Sequence, residues 1–286
     1  MMGDLQDVWA VELEILEKFM EVCRKYNLKY FADSGTLLGA IRHNGFIPWD
    51  DDIDVAMFRK DFNRFRKIAS KEFPYPFFVQ HGFNEKGYFG GHIHIRNSNT
   101  TAILKSNFPH IRYNQGIFID VFPLDGVLEN KVLRNIQDFS KRFILSILWK
   151  KFYGKTQPFK LKHILLLPFS ILPQRLLFAV YELNARFGNI IPHKNVDEVA
   201  YYGTGAIRRK EWYSESSEHD FAGIKIQVPK NYNKILTLQY GTDYMTPKKV
   251  PTDHGETFFD VKNPYTDYLS GKLSIPYEWG RQCPSQ

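Results

Sequence analysis

The 286-residue sequence predicts an α+β fold: a mixed β-sheet flanked by helices, carrying a helical insertion at roughly 131–187. Three observations predict it. Residues 5–27 and 59–72 place apolar side chains at the helical period. Residues 52–56, 77–81, 89–96 and 117–121 read as strands, several of them alternating apolar and polar positions. Between 131 and 187 the character changes to apolar runs interleaved with lysine and arginine. No repeat, low-complexity tract or linker divides the chain, so residues 1–286 read as one domain with that insertion.

The totals narrow the function. Hydrophobic residues make up 43% and charged ones 24%, a globular rather than a disordered composition, at a length that buries a substantial core. A net charge of +7 points to phosphate-rich ligands or an anionic membrane surface. Nucleic acid is not an expected partner, because no zinc-finger, RRM-like or basic-helix signature accompanies the charge. Cys23 and Cys283 are too few for a disulfide framework or a zinc ribbon, and the first 14 residues are too acidic and polar for a signal peptide. Both points predict a cytoplasmic protein, and both leave open attachment to the inner face of a membrane.

The chain opens with an amphipathic helix. Val8, Val11, Ile15, Leu16, Phe19 and Cys23 form its dry stripe, Glu12, Glu14, Glu17 and Arg24 its wet side, and Asn27 its left-handed end. Residues 28–32 form a short strand that delivers the small-residue turn Ser34-Gly35-Thr36, and a helix follows from Thr36 to His43. The amino end of that helix offers unpaired N–H groups and a positive dipole end to a phosphate. Ser34 serves either that phosphate or as the helix cap. Arg42, about two turns on, either reaches phosphate or pairs with Asp50 or Asp51.

In Asp52-Ile53-Asp54-Val55-Ala56 carboxylates alternate with apolar residues, so Asp52 and Asp54 share one face of a strand. Neighbouring carboxylates repel, and a hard, oxygen-loving cation such as magnesium (or manganese) relieves the repulsion. The plain alternative for Asp50 and Asp51 is a solvated loop. Residues 59–72 then form a basic amphipathic helix with Phe62, Phe65 and Ile68 inward, its charges read as a solvated face. In residues 91–96 the side chains of His92, His94 and Arg96 share one face; two such histidines can ligate zinc, but no further ligand is near in sequence. Ile117, Ile119 and Val121 alternate with Phe118 and Asp120 in a strand closed by Pro123, after which Asp125-Gly126 turns the chain. Asp120 has the dull alternative of a hydrogen bond to nearby backbone.

The insertion's longest apolar stretch is broken by Pro168, Pro173 and Arg175, short of the roughly 20 residues a membrane-spanning helix needs. It either packs on the sheet or lies on an anionic bilayer as a peripheral contact.

Two segments, Asp33-Ser34-Gly35-Thr36-Leu37-Leu38-Gly39-Ala40 and Gly45-Phe46-Ile47-Pro48-Trp49-Asp50-Asp51-Asp52-Ile53-Asp54, resemble the signature of the LicD family. Its members include bacterial phosphocholine transferases and animal relatives that move ribitol phosphate onto glycans. The resemblance implies a nucleotidyltransferase-like fold and transfer of a phospho-alcohol from a CDP-linked donor, with a divalent metal. Fifteen residues (37–51) separate Gly35-Thr36 from Asp52, a gap somewhat longer than in the broader nucleotidyltransferase pattern. By the same resemblance Asp120 corresponds to the third carboxylate, as metal ligand or as base, and Arg96, Asn99 and Thr100 become donor contacts. The tail around Tyr240-Gly241-Thr242-Asp243 and His254 is also similar, except that Thr242 separates the Gly and Asp that usually adjoin.

The expectation is therefore an enzyme moving phosphocholine or a related group from a CDP-alcohol to a hydroxyl of a surface glycan such as lipopolysaccharide, teichoic acid or capsule, or to its lipid-linked precursor. Asp52, Asp54 and Asp120 hold the metal and carry the catalysis. Ser34, Gly35, Thr36, Arg42, Arg96, Asn99 and Thr100 bind the donor. Two rivals stand beside it: a nucleotidyltransferase acting on an NTP and a small molecule, and a non-catalytic glycan- or membrane-binding module.

Overall fold

A computed structural model describes residues 5–106, 108, 110–153, 168–200, 206–249 and 255–275. Its centre is a mixed sheet with strand order β1-β2-β6-β4-β3, formed by β1 (Phe31–Ala32), β2 (Asp54–Phe58), β3 (Phe77–Gln80), β4 (Ile93–Asn97) and β6 (Ile117–Gly126). β2 and β6 run parallel; the other pairs in that path are antiparallel. At the far end of β6, β7 (Asn195–Asp197) and then β8 (Arg208–Arg209) extend the sheet. Two antiparallel pairs stand apart: β5 (Thr101–Leu104) with the distant β11 (Thr257–Asp260), and the hairpin of β9 (Ser216–Phe221) with β10 (Ile224–Pro229).

The α+β expectation holds, and the alternation explains how the layers form. Ile119 and Val121 on β6 and Ile93 and Ile95 on β4 are fully buried. They share a core with Ile15, Leu16 and Phe19 of α1 (Leu5–Lys25) and Phe62 and Phe65 of α3 (Arg59–Glu72). α1 ends where the sequence predicts, with Asn27 in the left-handed region at φ 47°. α2 (Ser34–His43) starts two residues earlier than predicted, and Asp33, not Ser34, is its cap, accepting from Ser34 N at 2.9 Å.

Other expectations need correction. β2 begins at Asp54, so Asp52 and Ile53 precede the strand. β6 runs through Pro123 instead of closing there; β4 is already spent opposite Val121, so the missing N–H falls where β2 is the remaining neighbour. The charges of α3 are not all solvated. Arg59 is buried, with Nε donating to Asp125 Oδ1 at 2.8 Å and Nη1 to Glu182 Oε1 at 3.2 Å. Asp125, expected to be a turn former, is a wholly buried member of β6 that also accepts from Asn189 Nδ2 at 2.6 Å.

That ion pair network fastens the insertion. α4 (Lys131–Tyr153) and α5 (Gln174–Ala185) pack on each other, and Glu182 of α5 takes Arg59 and Arg66 from α3. Two further helices, α6 (Tyr232–Tyr240) and α7 (Tyr265–Leu269), follow in the tail. Among the described residues no helix is long and apolar enough to cross a membrane. His254 and Cys283 lie outside the described residues.

Candidate active site

The site is built by strand register. Asp54 on β2 pairs with Asp120 on β6, Asp120 with His94 on β4, and His94 with Gln80 on β3. Registered residues project from the same face, so four consecutive strands lay Asp54, Asp120, His94 and Gln80 in one row. Asp52, just ahead of β2, joins them: one carboxylate oxygen from each of Asp52, Asp54 and Asp120 lies within 4.8 Å of the others. Asp50, Asp51 and Asp52 satisfy the same criterion among themselves, so the acids form one continuous group.

Local structure holds each member. Thr36, buried in the first turn of α2, accepts from Asp54 N at 2.8 Å and ties that helix to the start of β2. A side chain at position 35 would collide with Asp50 Oδ2, so glycine is required for the carboxylate to lie against the amino end of α2. Trp9, on α1, donates from Nε1 to Asp50 O at 2.9 Å and fixes the acidic loop from the other side. Asp33, which caps α2, is held by Arg208 Nη1 at 2.8 and 2.6 Å, and Glu198 takes Arg208 Nη2 at 2.6 Å. All three residues are buried. Ser34 sits above this network with φ 46°, a conformation an L-residue keeps only when its neighbours hold it.

Sequence reasoning missed two contributions. Glu12, assigned to the wet side of α1, is 1% exposed, and its Oε2 has no hydrogen-bond partner among the described residues. Burial, and then the charges of Asp52, Asp51, Asp50 and Asp120, hold its pKa well above the usual range. The helical period did carry the signal: position 12 stands four residues after Val8 and three before Ile15, inside the apolar stripe.

The second contribution is the histidine pair. The missing further ligand is Asp120, brought from another strand: His94 Nε2 lies 2.9 Å and His92 Nε2 3.4 Å from Asp120 Oδ1. Burial pushes His92 down to about 3 and, with Arg96, pushes His94 well below its ordinary value, so both rings are neutral. Arg96 Nη2, which can only donate, is bonded to His94 Nδ1. His94 Nδ1 also lies 3.1 Å from Gln80 Oε1, and His94 Nε2 lies 2.6 Å from His92 Nε2, so the two rings, Arg96 and Gln80 form one buried chain of polar contacts beside Asp120. The His92–His94–Asp120 trio has the spacing of a ligand set.

Arg96 thereby receives a different task from phosphate contact. It is buried, stacks 4.4 Å from the Phe118 ring centroid, and gives Nε to Gln80 Oε1 and Nη1 to Gly116 O, both at 2.7 Å. Nor does the structure bring Asn99 and Thr100 to the acids. They follow the end of β4, five and six residues beyond His94; Asn99 takes the Tyr75 hydroxyl, and Thr100 Oγ1 donates to Asn97 O at 2.7 Å and accepts from Ile117 N at 2.9 Å. Arg42 turns to the tail, with Nη1 donating to Tyr244 O at 2.8 Å, rather than to Asp50 or Asp51. Asp243 is exposed and paired with Lys248.

The electrostatics test the fit of a cation. Burial first, then Asp52, Asp120, Asp50 and Glu198, raise the pKa of Asp54 well above the carboxylate range. Six acids from α1, the acidic loop, β2 and β6 thus crowd together, with oxygen donors alone in the Asp52–Asp54–Asp120 set. Such a set suits a hard divalent cation.

Comparison with known proteins shows the family. The family model described as "LicD/FKTN/FKRP, nucleotidyltransferase domain" matches residues 27–173, which include both β2 and β6. The chain is 28% identical over 270 residues, 91% of its length and 97% of the relative's, to the lipopolysaccharide cholinephosphotransferase LicD of Haemophilus influenzae. It is 36% identical over 45 residues, 16% of this chain and 9% of the relative, to the ribitol 5-phosphate transferase FKRP of Mus musculus. An uncharacterized protein of Rickettsia typhi is 40% identical over 73 residues, 26% of this chain and 22% of that protein.

Proposed function

The chain belongs to the LicD family, and from that premise we propose that it transfers a phospho-alcohol, phosphocholine or a close relative, from a CDP-activated donor to a hydroxyl of a surface glycan or its lipid-linked precursor. The observation that carries the proposal is the row of Asp54, Asp120 and His94 across three strands, with Asp52 within ligand distance of the first two.

Asp52, Asp54 and Asp120 would hold magnesium or manganese, which when bound neutralises charge on the diphosphate. The chain's own residues do the rest. Ser34, Gly35 and Thr36 would present the amino end of α2 to the donor's phosphates, while Arg42, in the last turn of that helix, ties it to the tail through Tyr244 O. The acceptor oxygen bonds to the phosphorus that bears the alcohol, the bond from that phosphorus to CMP breaks, and the hydroxyl proton passes to a carboxylate of the cluster. Arg96 bonds to His94, whose ring lies 2.9 Å from Asp120, and Asn99 and Thr100 sit in the turn that follows β4. Such reactions are accelerated chiefly by positioning and charge stabilisation, which a rigid row of registered strands supplies.

The test is a panel of CDP-alcohols with magnesium, with and without candidate glycan acceptors. The proposal expects CMP release that requires the metal and rises with the acceptor. Pyrophosphate release from an NTP, with no CMP from any CDP-alcohol, would transfer the site to the nucleotidyltransferase reading. A glycan or membrane module would release neither.

A further inference from the structure

Among the described residues, 13 of the 17 exposed large hydrophobic side chains lie between Val132 and Ile191. The division of α4 explains part of this. Its inward face, with Ile144, Ile147 and Leu148, packs against Leu177, Phe178 and Tyr181 of α5. Its outward face presents Val132, Ile136 and Phe139, the last 73% exposed. α5 adds Leu183, and the turn after it adds Phe187 and Ile190, 76% exposed. Between the two helices an open groove of about 400 Å³ is lined by Leu128, Leu133, Ile136, Val180, Leu183 and Phe187. A patch of this kind on a soluble surface marks an interface.

The charge decides what covers it. Residues 131–194 contain 12 lysines and arginines against two acids, leaving 26 basic and 29 acidic residues for the rest of the chain. Nine of those 12 basic residues are among the described ones, so a net positive charge accompanies the outward-facing apolar side chains. The two acids are already engaged, Glu182 by Arg59 and Arg66 and Asp138 by Lys141. Lys131, Arg142, Arg175 and Lys194 are exposed around the patch. A second copy would bring two like-charged faces together. An anionic bilayer answers both features, taking the apolar side chains below its headgroups and the basic ones among them.

We infer that the outer face of the α4–α5 insertion docks the protein on an anionic lipid bilayer. This does not rest on the reading of the acidic cluster, and its test does not read turnover. The full chain is sedimented with vesicles of phosphatidylcholine alone and of equimolar phosphatidylcholine and phosphatidylglycerol. Binding is expected to the anionic vesicles only and to fall with added salt. Phe139→Ser with Ile190→Ser should weaken it about tenfold or more. Lys131→Glu with Arg142→Glu should weaken it about tenfold or more, since each basic group near such a surface is worth about fivefold. All four positions are exposed, so the melting curves should match the parent; if one pair misfolds, the other carries the test. Absence of binding, equal binding to neutral vesicles, or variants that bind like the parent would overturn the inference. So would a concentration-dependent dimer in sedimentation velocity that Phe139→Ser abolishes.

Discussion

Two kinds of acid cluster in this molecule differ in what faces each carboxylate. Around Arg208, Asp33 and Glu198 each find a guanidinium within 2.8 Å; around Arg59, Asp125 and Glu182 do much the same. The row at Asp52, Asp54 and Asp120 gathers the same residue types but turns carboxylates toward one another, and Glu12 adds a fourth element's acid behind them. The first arrangement is balanced by the chain itself and ties elements together. The second sets like charges against one another, an arrangement that a bound cation relieves.

The largest expected effect breaks the balanced side. Arg208→Ala leaves Asp33 and Glu198 buried without their cation, at a cost of about 3–5 kcal/mol. Against a typical total of roughly 5–15 kcal/mol this brings the chain close to unfolding at ambient temperature. Denaturant melts check it, and a triple variant with Asp33→Asn and Glu198→Gln should recover most of the loss. A melt unchanged by Arg208→Ala would mean that the network does not hold α2, and the comparison would lose its structural half.

On the unbalanced side the same kind of change should spare the fold and remove the activity. Asp54→Asn deletes a charge that burial and three neighbouring aspartates already disfavour, so thermal stability should hold or rise. Turnover should fall about 10²–10³-fold, equivalent to roughly 3–4 kcal/mol of lost transition-state stabilisation. CMP release and a melting curve on the same sample read both halves. Near-parental turnover would remove Asp54 from the chemistry; a large loss of stability would place it with the structural acids instead.

How much of this was legible beforehand follows the range of each signal. α1 and α3 are local periodicities, and α3 was bounded to the residue at Arg59 and Glu72. The closeness of Asp52 and Asp54 is also local, since both belong to one short alternating stretch. His94 meeting Asp120 depends on the antiparallel register of β4 against β6, 26 residues apart in sequence, which spacing does not reveal. Without that register the histidines lacked a partner, and Arg96 looked available for phosphate. Asp125 read as a turn for the same reason: its partner Arg59 lies 66 residues away. Glu12 was a different kind of miss, because its place in the apolar stripe was local and the charge of the residue outweighed the period.

The smallest expected effect sharpens the comparison through pH. Asp54 and Glu12 have folded pKa values above their ordinary 3.8 and 4.5. Between the unfolded and the raised folded value the folded chain binds more protons than the unfolded one. Stability contributed by these groups is therefore fully present at low pH and is lost as pH rises from about 4 through the folded values, the reverse of a salt-bridged acid. A divalent cation competes with those protons, so its stabilisation should grow over the same window, reaching about 2.7 kcal/mol at 100 times its dissociation constant. Melting temperatures with EDTA and with magnesium should consequently diverge as pH increases. Asp54→Asn should narrow that divergence and flatten the EDTA curve relative to the parent. If magnesium instead moves parent and variant equally at every pH, the cation is binding elsewhere, and the crowded acids would have to be explained without one.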